Sequence, residues 1–225
     1  MKWTLFIQQK TKVAMLLFCI MLFAILTSVI GGRNLDNINY SVKSIYNDRL
    51  IPATDLYYIS DNLHSKKALL ESALNNSENV TATHQQLKYI NASISKLITQ
   101  FEGTYLVKSE PEFIDQLKHN NKLLTVAEAS IIRLLAANQH AEAHAVYDQN
   151  VLNTHKNSIT LLSKLINIQS AVGKDLIKQS AFNASSFNLL STLQILVSVI
   201  IGMLIIKLVI ASKLNNTVYK KYNMN

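Results

Sequence analysis

Two stretches almost free of charge, Val13 to Ile30 (VAMLLFCIMLFAILTSVI) and Leu189 to Ile206 (LLSTLQILVSVIIGMLII), constrain this chain more than any other feature. Each approaches the roughly 20 apolar residues that a helix needs to cross a hydrocarbon core. The second can run on to Ala211 if Lys207 snorkels its ammonium to the interface. Lys2, Lys10 and Lys12 precede the first window, Lys207, Lys213, Lys220 and Lys221 border or follow the second, and all fourteen acidic residues lie between the windows. Seven of the 22 basic residues thus sit in the tails, which carry seven of the eight units of formal net charge. The basic balance is a topology signal, not a nucleic-acid footprint, and no nucleic-acid partner is expected. By the positive-inside rule both tails face the cytoplasm and residues 31 to 188 are exported.

A cleaved signal peptide is the competing reading of the first window. The apolar run exceeds a usual signal core, no Ala-x-Ala site follows, and Ile30-Gly31-Gly32 leads straight into a helical pattern. Cys19, inside the window, is the sole cysteine, so the exported part has no disulfide and no thiol redox chemistry.

Hydrophobic content of 49% with five Gly and two Pro favours long helices over sheet. A 3-4 spacing runs Leu35, Ile38, Val42, Ile45, Arg49, Pro52, Leu56, Ile59, Leu63, Lys66, Leu70, Ala73, which predicts one helix in a single register, bent at Pro52. Asn75-Asn76-Ser77 supplies turn chemistry. A second seam runs Leu87, Ile90, Ile94, Leu97, Phe101, Thr104, and a third runs Phe113, Leu117, Asn120, Leu124, Ala127, Ile131, Leu134, with Ser109-Glu110-Pro111-Glu112 as the intervening helix start. The fourth helix begins near His140 and carries Ala145, Leu152, Ile159, Leu162 and Ile166, flanked by Leu161, Leu165, Ile168, Val172 and Leu176. It can continue into the second window. The predicted fold is all-α: an up-down-up-down four-helix bundle on a two-helix stem, flanked by two transmembrane helices. The expected division is a tail over 1-12, a membrane helix over 13-31, an extracytoplasmic bundle over 32-187, a second membrane helix over 188-211 and a tail over 212-225.

Within the first helix, Ile45-Tyr46-Asn47-Asp48-Arg49-Leu50-Ile51-Pro52 followed by Leu56 and Ile59-Ser60-Asp61-Asn62-Leu63 resembles the four-helix-bundle sensor domain of methyl-accepting chemotaxis receptors. Asn138-Gln139-His140-Ala141-Glu142-Ala143 and Leu161 to Gln169 resemble that domain's entry into its last helix. The resemblance spans roughly residues 1 to 211. It implies extracytoplasmic sensing at a bacterial-type inner membrane by a homodimer, with binding at the distal bundle moving the last helix. Only Ser212 to Asn225 follow the second window. The expectation is therefore a standalone form without the cytoplasmic output region, acting on a separate signalling partner.

No Walker loop, Rossmann glycine pattern, Gly-x-Ser-x-Gly, Cys-x-x-Cys or His-Glu-x-x-His occurs, so neither an enzyme nor a cofactor is expected. His140 and His144, one turn apart, are the metal candidates, with Glu142 or a partner's histidine as a further ligand; two solvated histidines are the plainer account. His64, His84, His119 and His155 show no ligand spacing. Arg49, Lys66 and Asn120 break the hydrophobic seams and are the ligand-binding candidates. Glu102, Glu110 or Glu112 can neutralise Arg49 structurally. The functional alternative is an anion site between protomers, where Arg49 or Lys66 grips a carboxylate. Three readings stand: a sensory or ligand-binding membrane module, a scaffolding membrane protein without a small ligand, and a metal or stress sensor using His140 and His144.

Overall fold

The computed structural model describes the backbone over residues 2-75 and 79-222 and side chains over 15-75 and 79-206. Its elements are α1 (Lys2–Ile45), a π-turn (Tyr46–Leu50), α2 (Ile51–Asn75), α3 (Val80–Glu102), α4 (Glu110–Ala136), α5 (His140–Val146), a second π-turn (Tyr147–Val151) and α6 (Leu152–Tyr222). No strand occurs among the described residues. The α1–α2 and α5–α6 runs each act as one bundle helix interrupted by a π-turn, so with α3 and α4 the chain makes a four-helix bundle. The side chains of the tail lysines and the placement of Asn76 and Ser77 lie outside the described residues.

The chain divides into two compact units, Met1–Tyr40 with Lys178–Asn225, and Ser41–Ile177. In the first unit, two helices contain windows long and apolar enough to cross a membrane, each with mean hydropathy 2.5. Thr27 is buried there and its hydroxyl donates to the Phe23 and Ala24 carbonyls, both at 3.0 Å, which lets a polar side chain sit in an apolar helix. Gly31 is buried, and a Cβ there would meet the Phe187 ring at 3.5 Å.

The second unit holds the bundle core. Leu56, Ile59, Leu63 and Leu70 of α2 pack with Leu87, Ile94, Ile98 and Phe101 of α3, Ile114, Leu117, Leu124 and Ile131 of α4, and Tyr147, Val151, Leu162 and Leu165 of the last helix. Fully burying such a side chain contributes about 1.5–3 kcal/mol relative to leaving it in water.

The first bundle helix departs from the expected single register. Pro52 has no N–H to give to the carbonyl four residues back, so an unbroken α-helix would leave a buried acceptor open. The π-turn accommodates this by bonding Ile51 N–H to the Tyr46 carbonyl, five residues back, and so adds a residue to the turn. Beyond it the expected seam is buried from Arg49 through Pro52, Leu56, Ile59, Leu63, Lys66, Leu70 and Ala73. Before it the phase is shifted: Leu35 and Val42 are exposed, and Ser41 and Ser44 are buried instead.

A second correction concerns the last helix. Leu152 N–H bonds the Tyr147 carbonyl across the other π-turn. Ala145, Leu152 and Ile166 consequently face outward. The buried face is Ala143, Tyr147, Val151, His155, Ser158, Leu162, Leu165 and Gln169. Leu161, Leu162 and Leu165 are buried as expected, but the apolar count misplaced the rest of the face because it carries the polar residues His155, Ser158 and Gln169.

Turns use local chemistry. Asn79 takes left-handed backbone geometry (φ 79°) as N-cap of α3, and its side chain accepts from Ala82 N–H at 3.3 Å. At α4, Pro111 sits in the first turn as expected, but Ser109 makes no capping bond. Glu110 instead turns back and its Oε2 accepts the Val107 N–H at 2.7 Å, which places a carboxylate in the core.

Candidate functional site in the bundle interior

Two buried ionic clusters interrupt the core, and each contains one of the basic seam residues. Lys66 of α2 lies with its Nζ 2.6 Å from Glu128 Oε1 on α4, and both side chains are almost fully shielded from solvent. The ammonium also donates to Asn91 Oδ1 of α3 at 2.6 Å and to Asn121 Oδ1 of α4 at 3.4 Å. Asn91 in turn donates through Nδ2 to Glu128 Oε2 at 2.8 Å. Three helices are thereby tied by one cation, one anion and two amides. Burial pushes the Lys66 ammonium below its ordinary value, while the Glu128 charge and hydrogen bond pull the other way.

Arg49 sits in a different arrangement. Of the three carboxylates expected near it, Glu110 is the one in reach, yet the Nη1 to Oε2 distance is 3.9 Å. Gln169 of α6 bridges the pair: its Oε1 accepts from Arg49 Nη1 at 3.2 Å, and its Nε2 donates to Glu110 Oε1 at 2.7 Å. Arg49 Nε is buried without a hydrogen-bond partner. Burial raises the Glu110 carboxyl above its usual range, opposed by the Val107 N–H, the Arg49 charge and the Gln169 amide. Of the other expected partners, Glu102 pairs with Lys118 at 2.8 Å, and Glu112 accepts from Gln116 at 3.2 Å.

A third group joins α2 to the start of the last helix. Tyr147 donates its hydroxyl to Glu71 Oε1 at 2.7 Å, and Lys67 contacts the same oxygen at 2.6 Å. Two turns along each helix, the His64 and His155 rings meet edge to face with centroids 5.1 Å apart. Burial, then the His64, Lys67 and Lys66 charges, hold the His155 imidazole below its ordinary value, with Glu71 opposing.

Asn120, the third seam break, does not join these clusters. It is half-buried and lines an open groove of about 480 Å³ with Asp115, His119, Asn157, Thr160 and Lys164. Its neighbour Asn121 is the residue that reaches Lys66. His140 is half-buried at the start of α5 and His144 is exposed. Among the described residues no set of three His, Cys, Asp or Glu side chains is placed to hold a metal.

Sequence reasoning missed Asn91, Glu128, Gln169 and Glu71. Glu128 and Gln169 had a signal. Each occupies a position three or four residues from a seam leucine or isoleucine, and a seam cation needs a buried partner of this kind.

A bundle whose helices are linked through buried charges, with a long apolar window on its first and last helices, has the build of a signal-relaying module. The sequence matches the family described as the four helix bundle sensory module for signal transduction over residues 6–184, most of the chain. No curated protein matches it. The chain belongs to this family of four-helix-bundle sensory modules.

Proposed function

We propose that the chain is a two-pass membrane sensor whose bundle, residues 32-187, lies outside the cytoplasm, with membrane helices over 13-31 and 188-211 and both tails, 1-12 and 212-225, inside. It acts without enzymatic chemistry, passing a conformational change through its membrane helices to a separate signalling partner at a bacterial-type inner membrane. The observation that carries this reading is the continuity of α6, which runs from Leu152 to Tyr222 without interruption. One continuous helix therefore contains the Gln169 contact to the Arg49 cluster and the second apolar window. A displacement at one end of such a helix has no loop in which to dissipate.

Reporter fusions test the topology. A cytoplasm-dependent reporter is expected to be active at Asn225 and an export-dependent one in the turn after Asn75; the reverse pattern overturns the assignment.

The sensor works as a homodimer paired along its first helix. Support comes from the apolar residues that the π-turn leaves outside: Leu35, Val42, Tyr46, Leu50 and Tyr57 are all about half or more exposed. With Cys19 replaced, single cysteines at Val42, Tyr46 and Leu50 are expected to cross-link between chains in membranes. Their uniform failure would mean pairing elsewhere or none.

Arg49, Lys66 and Asn120 remain the residues proposed to meet a ligand. A small carboxylate at Arg49 or Lys66 would take the place of Glu110 or Glu128. The Arg49 pair, 3.9 Å apart and with a free Nε, is the easier of the two to exchange.

A further inference from the structure

The contact between His64 and His155 joins the first bundle helix to the last, apart from both the Arg49 and the Lys66 clusters. We propose that these two histidines form a proton-sensing contact, so that acidification of the compartment around the bundle loosens α2 from α6 and is itself a stimulus for the module. The proposal supplies a stimulus for the sensory reading and rests on it for biological meaning, but the contact and its pH response are properties of the bundle alone.

The geometry carries the argument. His155 is 8% exposed and lies against His64 at 5.1 Å between centroids with the planes at 69°. Edge-to-face packing suits two neutral rings, or one neutral and one charged ring. Two imidazolium rings at that distance repel, and the inner one has little water to screen it.

The surrounding charges decide the direction. From α2, His155 is faced by His64, Lys66 and Lys67, with Glu71 as the opposing acid. Lys66 is already matched by Glu128 of α4, and Glu71 is already shared by Lys67 and the Tyr147 hydroxyl from the last helix's own π-turn. Among the described residues, Glu71 is the carboxylate that acts on His155, and it is already engaged. Asp61, one turn before His64 on α2, is exposed and outside the contact, as is Lys156 beside His155. Protonation therefore adds charge where the balance is already cationic, and the relief available is separation of the helices.

The sign follows from the direction of the shift. A histidine held below its ordinary value in the fold contributes stability that is complete above about pH 6.5 and is lost as pH falls through its folded value. Histidine is the side chain whose ordinary titration lies in this range, which fits a module that faces the outside of the cell.

The test uses the full chain in lipid nanodiscs, with Cys19→Ser and spin labels at the exposed positions Ala68 on α2 and Asn150 on the last helix. The distance distribution is expected to be short at pH 8 and to gain a longer population as pH falls to 5. That population should change up to about tenfold per pH unit for each proton taken up. His155→Phe, which keeps a ring in the contact but cannot charge, should hold the short distance at every pH. His64→Gln/His155→Gln should do the same, and helix content at pH 8 checks that both variants fold. Glu110→Gln, which removes a buried carboxyl outside this contact that burial shifts upward, should leave the response intact. An unchanging distance in the wild type, an undiminished response in both folded histidine variants, or its loss in Glu110→Gln alone overturns the proposal. If the distance responds as expected while the fusions place the bundle in the cytoplasm, the proton contact stands and the sensory topology falls.

Discussion

The Lys66 and Arg49 clusters have the same composition in outline, a seam cation facing a buried glutamate across the bundle, yet they are built to different tightness. Lys66 and Glu128 touch at 2.6 Å and two asparagines hydrogen-bond the pair, with Glu128 Oε1 held by the ion-pair contact alone. Arg49 and Glu110 stand 3.9 Å apart with a glutamine inserted between them and a guanidinium nitrogen left unmatched. The first is a direct contact in which removing one partner costs; the second has slack. The slack lies beside the π-turn at Tyr46–Leu50 and is bridged by α6, the helix that runs on to Tyr222. In a signalling bundle the two would have different work: the Lys66 cluster fixes which helix faces which, and the Arg49 cluster allows the last helix to change its hold on the first.

The larger loss is expected at Lys66. Lys66→Ala leaves Glu128 buried with only the Asn91 amide for a partner, and removing one member of a buried pair typically costs about 3–5 kcal/mol. Urea or thermal unfolding of the full chain in detergent micelles should show a loss of that size. Lys66→Met with Glu128→Leu should restore most of it, because an apolar pair of similar volume avoids the desolvation cost. A single variant as stable as the wild type would mean that water reaches Glu128.

Much of this was legible in the sequence, and the parts that were not have physical reasons. The four helices, the two apolar windows and the identity of Arg49 and Lys66 as seam breaks all follow from 3.6-residue periodicity, which burial enforces strongly. The register before Pro52 did not follow, because a π-turn shifts the phase by one residue and the exposed Leu35 and Val42 are as apolar as a core position requires. The last helix's face was assigned correctly at Leu161, Leu162 and Leu165 but not at Ala145, Leu152 and Ile166, since its buried side also carries His155, Ser158 and Gln169, and periodicity scores polarity as exposure. The buried partners were hidden for a related reason. Which asparagine meets a lysine depends on the relative rotation of three helices, and Asn120 and Asn121 differ by only one step along α4. Glu110 was read both as part of a helix-start motif and, with Glu102 and Glu112, as a candidate partner of Arg49; choosing among the three needed the loop to fold back so that Val107 N–H could bind it.

A smaller effect is expected at Arg49, and it separates slack from tightness directly. Arg49→Leu removes one hydrogen bond at 3.2 Å and a distant charge, while Gln169 and the Val107 N–H keep their hold on Glu110. The loss should be about 1–3 kcal/mol, the range for leaving a buried polar group short of a partner, against the larger figure at Lys66. A double-mutant cycle with Glu110→Gln should give a coupling below that of the Lys66–Glu128 cycle. The pH dependence sharpens it. The Glu110 carboxyl is raised from its ordinary 4.5 by burial, so the fold binds its proton more tightly than the unfolded chain does. The group's contribution is then fully present below the ordinary value and is lost as pH rises through the raised one. Arg49 opposes that rise, so Arg49→Leu should move the carboxyl further up and make stability fall more steeply with pH above 4.5, whereas Glu110→Gln should abolish the slope. Equal couplings in the two cycles, or a pH slope unchanged by Arg49→Leu, would show that 3.9 Å across a glutamine holds as firmly as 2.6 Å in direct contact, and the contrast between the clusters would have no energetic content.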